Sequence, residues 1–131
     1  MITGIDHVQV AAPPGCEPAA RAFYGHALGL DELPKPEPLA GRGGCWLAAG
    51  DQQLHVGVAS PFAAAAKAHP ALRASSAQAL RQLADTLAAA GHLVEWDDAL
   101  AGGERFYVHD PFGNRVEIIA AAGSDGSAGT A

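Results

Sequence analysis

Four side chains in this sequence, His7, His55, His69 and Glu117, have the chemistry and the spacing to form one site. Each sits in a stretch where aliphatic and polar residues alternate, and each has the parity opposite to the aliphatic set of its own stretch. Successive side chains of a strand point to opposite faces, so all four lie on the face away from the aliphatic residues. Imidazole nitrogens and carboxylate oxygens are the usual ligands of a catalytic divalent ion. Three neutral imidazoles and one carboxylate leave such a site with a net positive charge and, in an octahedral ion, two open positions. Those positions suit a substrate that binds through two adjacent oxygens, whose developing negative charge the ion holds as a Lewis acid. A carboxylate on a strand usually just faces water. Spacing argues otherwise here, because sixty-two residues separate His7 from His69, Gly29 from Gly91, and His55 from Glu117.

The elements that must position these residues follow from the same patterning. Residues 4–12 alternate as a strand, with Val8 and Val10 on one face and Ile5, His7 and Gln9 on the other. Pro13-Pro14-Gly15 ends it, and a helix is expected from Glu17, with Pro18 in its first turn, to Leu28. Gly29 closes that helix in the left-handed conformation. Three prolines and three glycines over residues 31–44 allow a short edge strand and then a mobile loop. Strands follow over 45–49 and 52–59, joined by a Gly50-Asp51 turn.

After an Ala-rich connector the order repeats. A strand is expected over 69–74, then a helix capped by Ser75-Ser76 with Leu80, Leu83, Ala84 and Leu87 as its buried stripe, ended by Gly91. A strand over 92–96, a loop from Asp97 to Gly103 and a hairpin over 105–119 complete the second half. Asp110-Pro111-Phe112-Gly113-Asn114 is the hairpin's turn, with Asp to open it, Pro to set φ and Gly-Asn for positive φ. A one-residue slip there would exchange the facing of Glu117 and Val116. The small polar residues 122–131 are expected to be disordered.

The whole is expected to be one domain of residues 1–121, with module 1 at about 4–60 and module 2 at about 68–120. A formal net charge of −6 without a basic run argues against a nucleic-acid surface. No apolar stretch is long enough to span a bilayer, and no leader pattern opens the chain. Cys16 and Cys45 are too few for a disulfide framework, so a soluble, reduced, cytoplasmic protein is expected. His26, His92 and His109 fit surface or turn roles. Trp46 and Phe23 are expected in the core, and Arg42 in a solvated loop. Arg105 and Tyr107 share a face near Glu117 and are candidates for orienting an anionic substrate.

Asp6-His7-Val8, Leu54-His55-Val56, His69-Pro70-Ala71-Leu72 and Asp110 to Glu117, set in two βαβββ-like halves over about residues 4–120, resemble the vicinal oxygen chelate superfamily. That superfamily includes glyoxalase I, methylmalonyl-CoA epimerase, extradiol dioxygenases and the fosfomycin and bleomycin resistance proteins. The resemblance implies an α+β fold of two βαβββ modules, whose curved mixed sheet carries a metal-binding cup on one face and helices on the other. It places His7, His69 and Glu117 on the ligand positions of metal-dependent members. His55 falls where glyoxalase I has a glutamate that is both ligand and base, so His55 is a fourth ligand or, with Glu117, a catalytic residue. One divalent ion per site is implied (Zn, Ni, Mn, Co or Fe), with a small-molecule substrate and a homodimer. The implied activity is that of a metal-dependent lyase or isomerase. A metal-free drug-binding protein of bleomycin-resistance type and an Fe(II) ring-cleaving dioxygenase are the alternatives. Pro70 removes a ladder donor just after His69, so that strand is expected to begin irregularly or lie at an edge.

Overall fold

In a computed structural model of the chain, residues 1–98 and 103–121 are described. The tail at 122–131 and most of the loop after Asp97 lie outside the described residues. The chain divides into two compact units, one of Met1–Ala66 with Asp110–Asn114, the other of Lys67–His109 with Arg115–Ala131. The class is α+β, and the strands are distributed over two four-stranded mixed sheets.

The first unit opens with β1 (His7–Ala12), whose Val10 and Ala12 are buried. Helix α1 (Glu17–Ala20) continues directly into a wider stretch, Arg21–Ala27. There the ladder reaches one residue further, with Leu28 N–H donating to the Phe23 carbonyl at 2.9 Å. The expected regular helix is therefore π-helical over its second half. Gly29 ends it at φ +78°, as expected of a residue without a Cβ. Strand β2 (Glu32–Leu33) is a short edge, and the expected loop holds a 3₁₀ helix at Glu37–Arg42. Strands β3 (Cys45–Ala49) and β4 (Gln52–Val58) form a hairpin across Gly50-Asp51. The sheet order is β1-β4-β3-β2, with β1 parallel to β4.

The second unit repeats this order as β5-β8-β7-β6. Strand β5 spans only Ala71–Arg73. His69 and Pro70 precede it, since Pro70 has no N–H to offer a ladder. Pro70 still accepts, because its carbonyl takes the Glu117 N–H at 3.0 Å. Helix α2 (Ala77–Ala89) is capped by Ser76, whose Oγ accepts from Ala79 N–H at 3.0 Å. It ends at Gly91, φ +94°, with His92 N–H on the Leu87 carbonyl at 3.0 Å. Ala77, Leu80, Ala84 and Leu87 are its buried stripe, and Leu83 is half-buried. The strand expected over 92–96 instead lies at β6 (Glu95–Asp97). It pairs with β7 (Gly103–His109), and β7 with β8 (Arg115–Ala121).

The repeat is visible in the registers. In the first sheet Gln9 lies opposite His55, and in the second Ala71 lies opposite Glu117, each pair offset by the same sixty-two residues. The hairpin partner differs by one, with Trp46 opposite His55 and Tyr107 opposite Glu117. The turn between β7 and β8 accounts for the difference, being longer than Gly50-Asp51.

That longer turn is held from within. Asp110 Oδ1 accepts the N–H groups of Phe112 and Asn114 at 2.9 and 2.8 Å. Gly113 supplies positive φ at +91°, whereas Asn114, expected to share that role, does not. Its amide instead donates to Asp110 Oδ2 at 2.9 Å and to the Ala11 carbonyl at 2.7 Å.

Candidate functional site

Each unit brings two of the four candidate residues together. In the first, the His7 and His55 rings stack with centroids 4.2 Å apart. The cause is the parallel register, which puts His7 two residues before Gln9, the neighbour of His55, on one face of the sheet. His55 is also stacked on its other neighbour, Trp46, at 3.9 Å and 4° between planes. Only 4% of His55 is exposed, because these rings cover the face that alternation alone would leave open. Its Nε2 meets Gln53 Oε1 at 2.8 Å. Burial, and then the neighbouring His7, hold the His55 pKa below its ordinary value, so the ring is neutral at pH 7. His7 is more open, and its Nδ1 is engaged by the Asp6 carboxylate at 2.9 Å. That leaves Nε2 as the free nitrogen, oriented from behind as in metal-bound histidines.

In the second unit His69 Nε2 stands 3.0 Å from Glu117 Oε1, while its Nδ1 meets the Lys67 carbonyl at 2.9 Å. A carbonyl oxygen can only accept, so Nδ1 carries its hydrogen. In a neutral ring Nε2 then presents a lone pair toward a carboxylate oxygen, and that contact needs a proton or a cation between the two. Two ligand atoms at right angles, each about 2.1 Å from a shared ion, stand about 3.0 Å apart. The donor pair and its fixed tautomer thus fit a divalent ion. Among the described residues no group of three or more His, Cys, Asp or Glu side chains is placed to hold one. Each unit offers a pair.

The residues expected beside Glu117 are there. Tyr107 lies opposite it across the β7–β8 ladder and meets the His69 ring edge-on at 5.5 Å. Its ring also carries the Arg115 guanidinium at 3.7 Å, a cation–π contact. Arg105 reaches Glu117 Oε2 at a long 3.4 Å and Asp97 Oδ2 at 2.9 Å, and its buried Nε has no hydrogen-bond partner among the described residues. Glu117 is 5% exposed, so both of its oxygens face protein cations or imidazole rather than water.

Three participants were not expected from the sequence. Trp46, read as core, is half-buried and forms the floor under His55. Counting back from the Gly50-Asp51 turn would have placed it opposite His55, so the signal was present. Asp6 carried no such signal, because neighbours within a strand face opposite ways; it lies just before β1, where the backbone is not bound by that rule. The Lys67 carbonyl belongs to a connector whose path alternation does not describe.

The model of the Glyoxalase/Bleomycin resistance protein/Dioxygenase superfamily matches residues 4–118. Among solved structures, a glyoxalase family protein from Bacillus anthracis is 49% identical, with a TM-score of 0.87, covering 92% of this chain and 97% of that one. Lactoylglutathione lyase from Agrobacterium tumefaciens is 22% identical at a TM-score of 0.71, with 91% and 94% covered. A fosfomycin resistance protein from Listeria monocytogenes is 14% identical at 0.74, with 93% and 96% covered. The last two likenesses concern the fold alone. No curated protein sequence matches. No helix among the described residues is long and apolar enough to cross a membrane.

Proposed function

Because this chain belongs to the Glyoxalase/Bleomycin resistance protein/Dioxygenase superfamily, we propose that it is a divalent-metal enzyme of glyoxalase type. The observation that carries this reading is the 3.0 Å approach of His69 Nε2 to Glu117 Oε1, with Nδ1 tied to the Lys67 carbonyl. His69 and Glu117 are the ligands of the second unit. His7, oriented by Asp6, is the ligand of the first. A bound Zn, Ni, Mn, Co or Fe ion supplies Lewis-acid stabilisation of negative charge on two neighbouring substrate oxygens.

The protein's own residues do the rest. His55 is neutral, buried and clamped between two rings, which suits a general base better than a fourth ligand. Arg105 offsets the charge of Glu117 and, with Tyr107, orients the substrate. The reaction would be of lyase or isomerase type, with His55 as the residue that would accept a proton from the substrate. A homodimer acting on a small molecule in the cytoplasm completes the reading.

The stack that occupies both faces and Nε2 of His55 also favours a second reading, a metal-free binding protein. Elemental analysis and thermal melting separate the two. Stoichiometric metal is expected, with stabilisation of about 2.7 kcal/mol at a free-ion concentration a hundred times Kd. Glu117→Gln should lower metal affinity by at least about a hundredfold, the upper range for merely supporting residues. Protein without stoichiometric metal, and with no metal-induced rise in Tm, would sink the enzyme reading. Iron with oxygen consumption would turn it to a dioxygenase.

A further inference from the structure

The first unit holds a cavity of about 290 Å³ beside the His55 stack, and every charged residue that lines it is a cation. Its walls include Gln9, Lys35, Leu39, Arg42, Trp46 and Val58. In a protein with a net charge of −6, a lining with two cations and no acid is not what composition alone would supply. We propose that this cavity binds the anionic end of a small molecule, a carboxylate, phosphonate or phosphate, between Lys35 and Arg42.

The backbone is built to bring these two side chains to the cavity. Arg42 ends the 3₁₀ helix, and Gly43 and Gly44 follow at φ +76° and +77°. A Cβ on Gly44 would stand 1.9 Å from the Val56 carbonyl oxygen, and one on Gly43 would stand 2.9 Å from Val58 Cγ2. Only a glycine pair lets this segment lie against β4. Gly44 N–H is fixed by Glu17 Oε2 at 2.6 Å, so the nearby carboxylate is already engaged by the backbone. Lys35 Nζ donates to the Gly43 carbonyl, another lining residue, which fixes the ammonium there and leaves further hydrogens to donate. Among the described residues Arg42 has no hydrogen bond or ion pair, so its guanidinium donors can turn to a ligand.

Gln9 adds a neutral amide lying over Gly57, within 2.7 Å of where a Cβ there would sit. Leu39, Val58 and the Trp46 ring supply apolar wall for the body of the ligand. Trp46 is the same ring that stacks on His55, so an occupant lies one ring away from the proposed base. The substrate of the enzyme is then an anionic small molecule. That last step rests on the proposed function, whereas anion binding by the cavity does not.

The test is calorimetric titration of the full chain with phenylphosphonate and, as its uncharged counterpart, benzyl alcohol. Phenylphosphonate should bind more tightly than benzyl alcohol and lose affinity as salt rises. Arg42→Gln should weaken phenylphosphonate at least about tenfold, the loss of one charge-assisted contact, and Arg42→Lys should retain most of it. Tm and metal content should not change in either variant, since Arg42 bonds to no other group among the described residues. Equal affinity for the two probes, no binding of phenylphosphonate, or indifference to Arg42→Gln would each overturn the inference. Metal retained without anion binding removes this site alone. Anion binding in a protein without metal removes the proposed function and leaves the site standing.

Discussion

The buried phenol of Tyr24 offers a sharp test of how the turn before Glu117 is held. Its hydroxyl donates to Asp110 Oδ2 at 2.7 Å. Asp110 is buried and takes four hydrogen bonds, two on Oδ1 from backbone N–H groups and two on Oδ2 from Tyr24 and the Asn114 amide. Burial, with the Asp110 carboxylate beside it, pushes the Tyr24 pKa far above the ordinary tyrosine range. It therefore remains a donor wherever the protein is folded. Tyr24→Phe removes this one bond and leaves the ring and its edge contact with Phe23 in place. A hydrogen bond to a buried charge is worth about 1.5–3 kcal/mol. An unfolding entropy of about 2.1 cal/mol/K per residue gives roughly 0.28 kcal/mol/K for a chain of 131 residues. The variant should then melt about 5–11 °C lower. Urea unfolding should show a lower midpoint at an unchanged slope. Metal affinity should stay the same, because the three remaining donors still fix the turn. A loss below about 0.5 kcal/mol, the scatter of ordinary surface changes, would refute the argument that this bond secures the carboxylate. Lost metal affinity would refute the argument that the other three suffice.

Other perturbations probe the same unit. His55 has a folded pKa lowered from 6.5 by burial and by His7, so the unfolded chain binds more protons just below that value. The stability this residue contributes should be complete above pH 6.5 and decline as pH falls through the folded value. Melting temperatures measured across that range should flatten in His55→Phe, which keeps a flat ring in the stack; an unchanged slope would assign the decline to other groups. Gly44→Ala should fail to fold or lose more than about 3 kcal/mol, since backbone strain and a backbone clash act together. A stable Gly44→Ala protein with normal circular dichroism would show that the 3₁₀ segment is free to shift.

The facing of the candidate residues was largely legible in the sequence because it depends on parity. His7, His55 and Glu117 face as alternation requires, and the sixty-two-residue offset reappears in the strand registers. His69 escaped the same logic because Pro70 delays β5, so its direction comes from the Lys67 carbonyl and not from a pleat. The helix after Gly15 was legible in its extent and its Gly29 end, but not in its widened second half. Periodicity over ten residues does not separate a π-helical ladder from a regular one. Residues 92–94 carry strand-like types and yet follow the helix stop as coil, so β6 starts later. The cavity was least legible. Lys35 and Arg42 are seven positions apart, across a 3₁₀ helix whose placement depends on Gly43 and Gly44 just beyond it, and neither periodicity nor composition describes that segment.

The turn between β7 and β8 has a consequence for the order in which the chain folds. Asp110 meets Tyr24 across 86 residues, and Asn114 meets Ala11 across 103. Contacts this distant in sequence are rewarded only after a long loop has been closed. The tip of the last hairpin therefore cannot complete its hydrogen bonds until the first strand and the first helix are in position to receive it. During synthesis those early segments emerge well before Asp110 and wait for it. Residues at the tip should act late in folding, with φ-values near zero and mutational costs that appear in the unfolding rate.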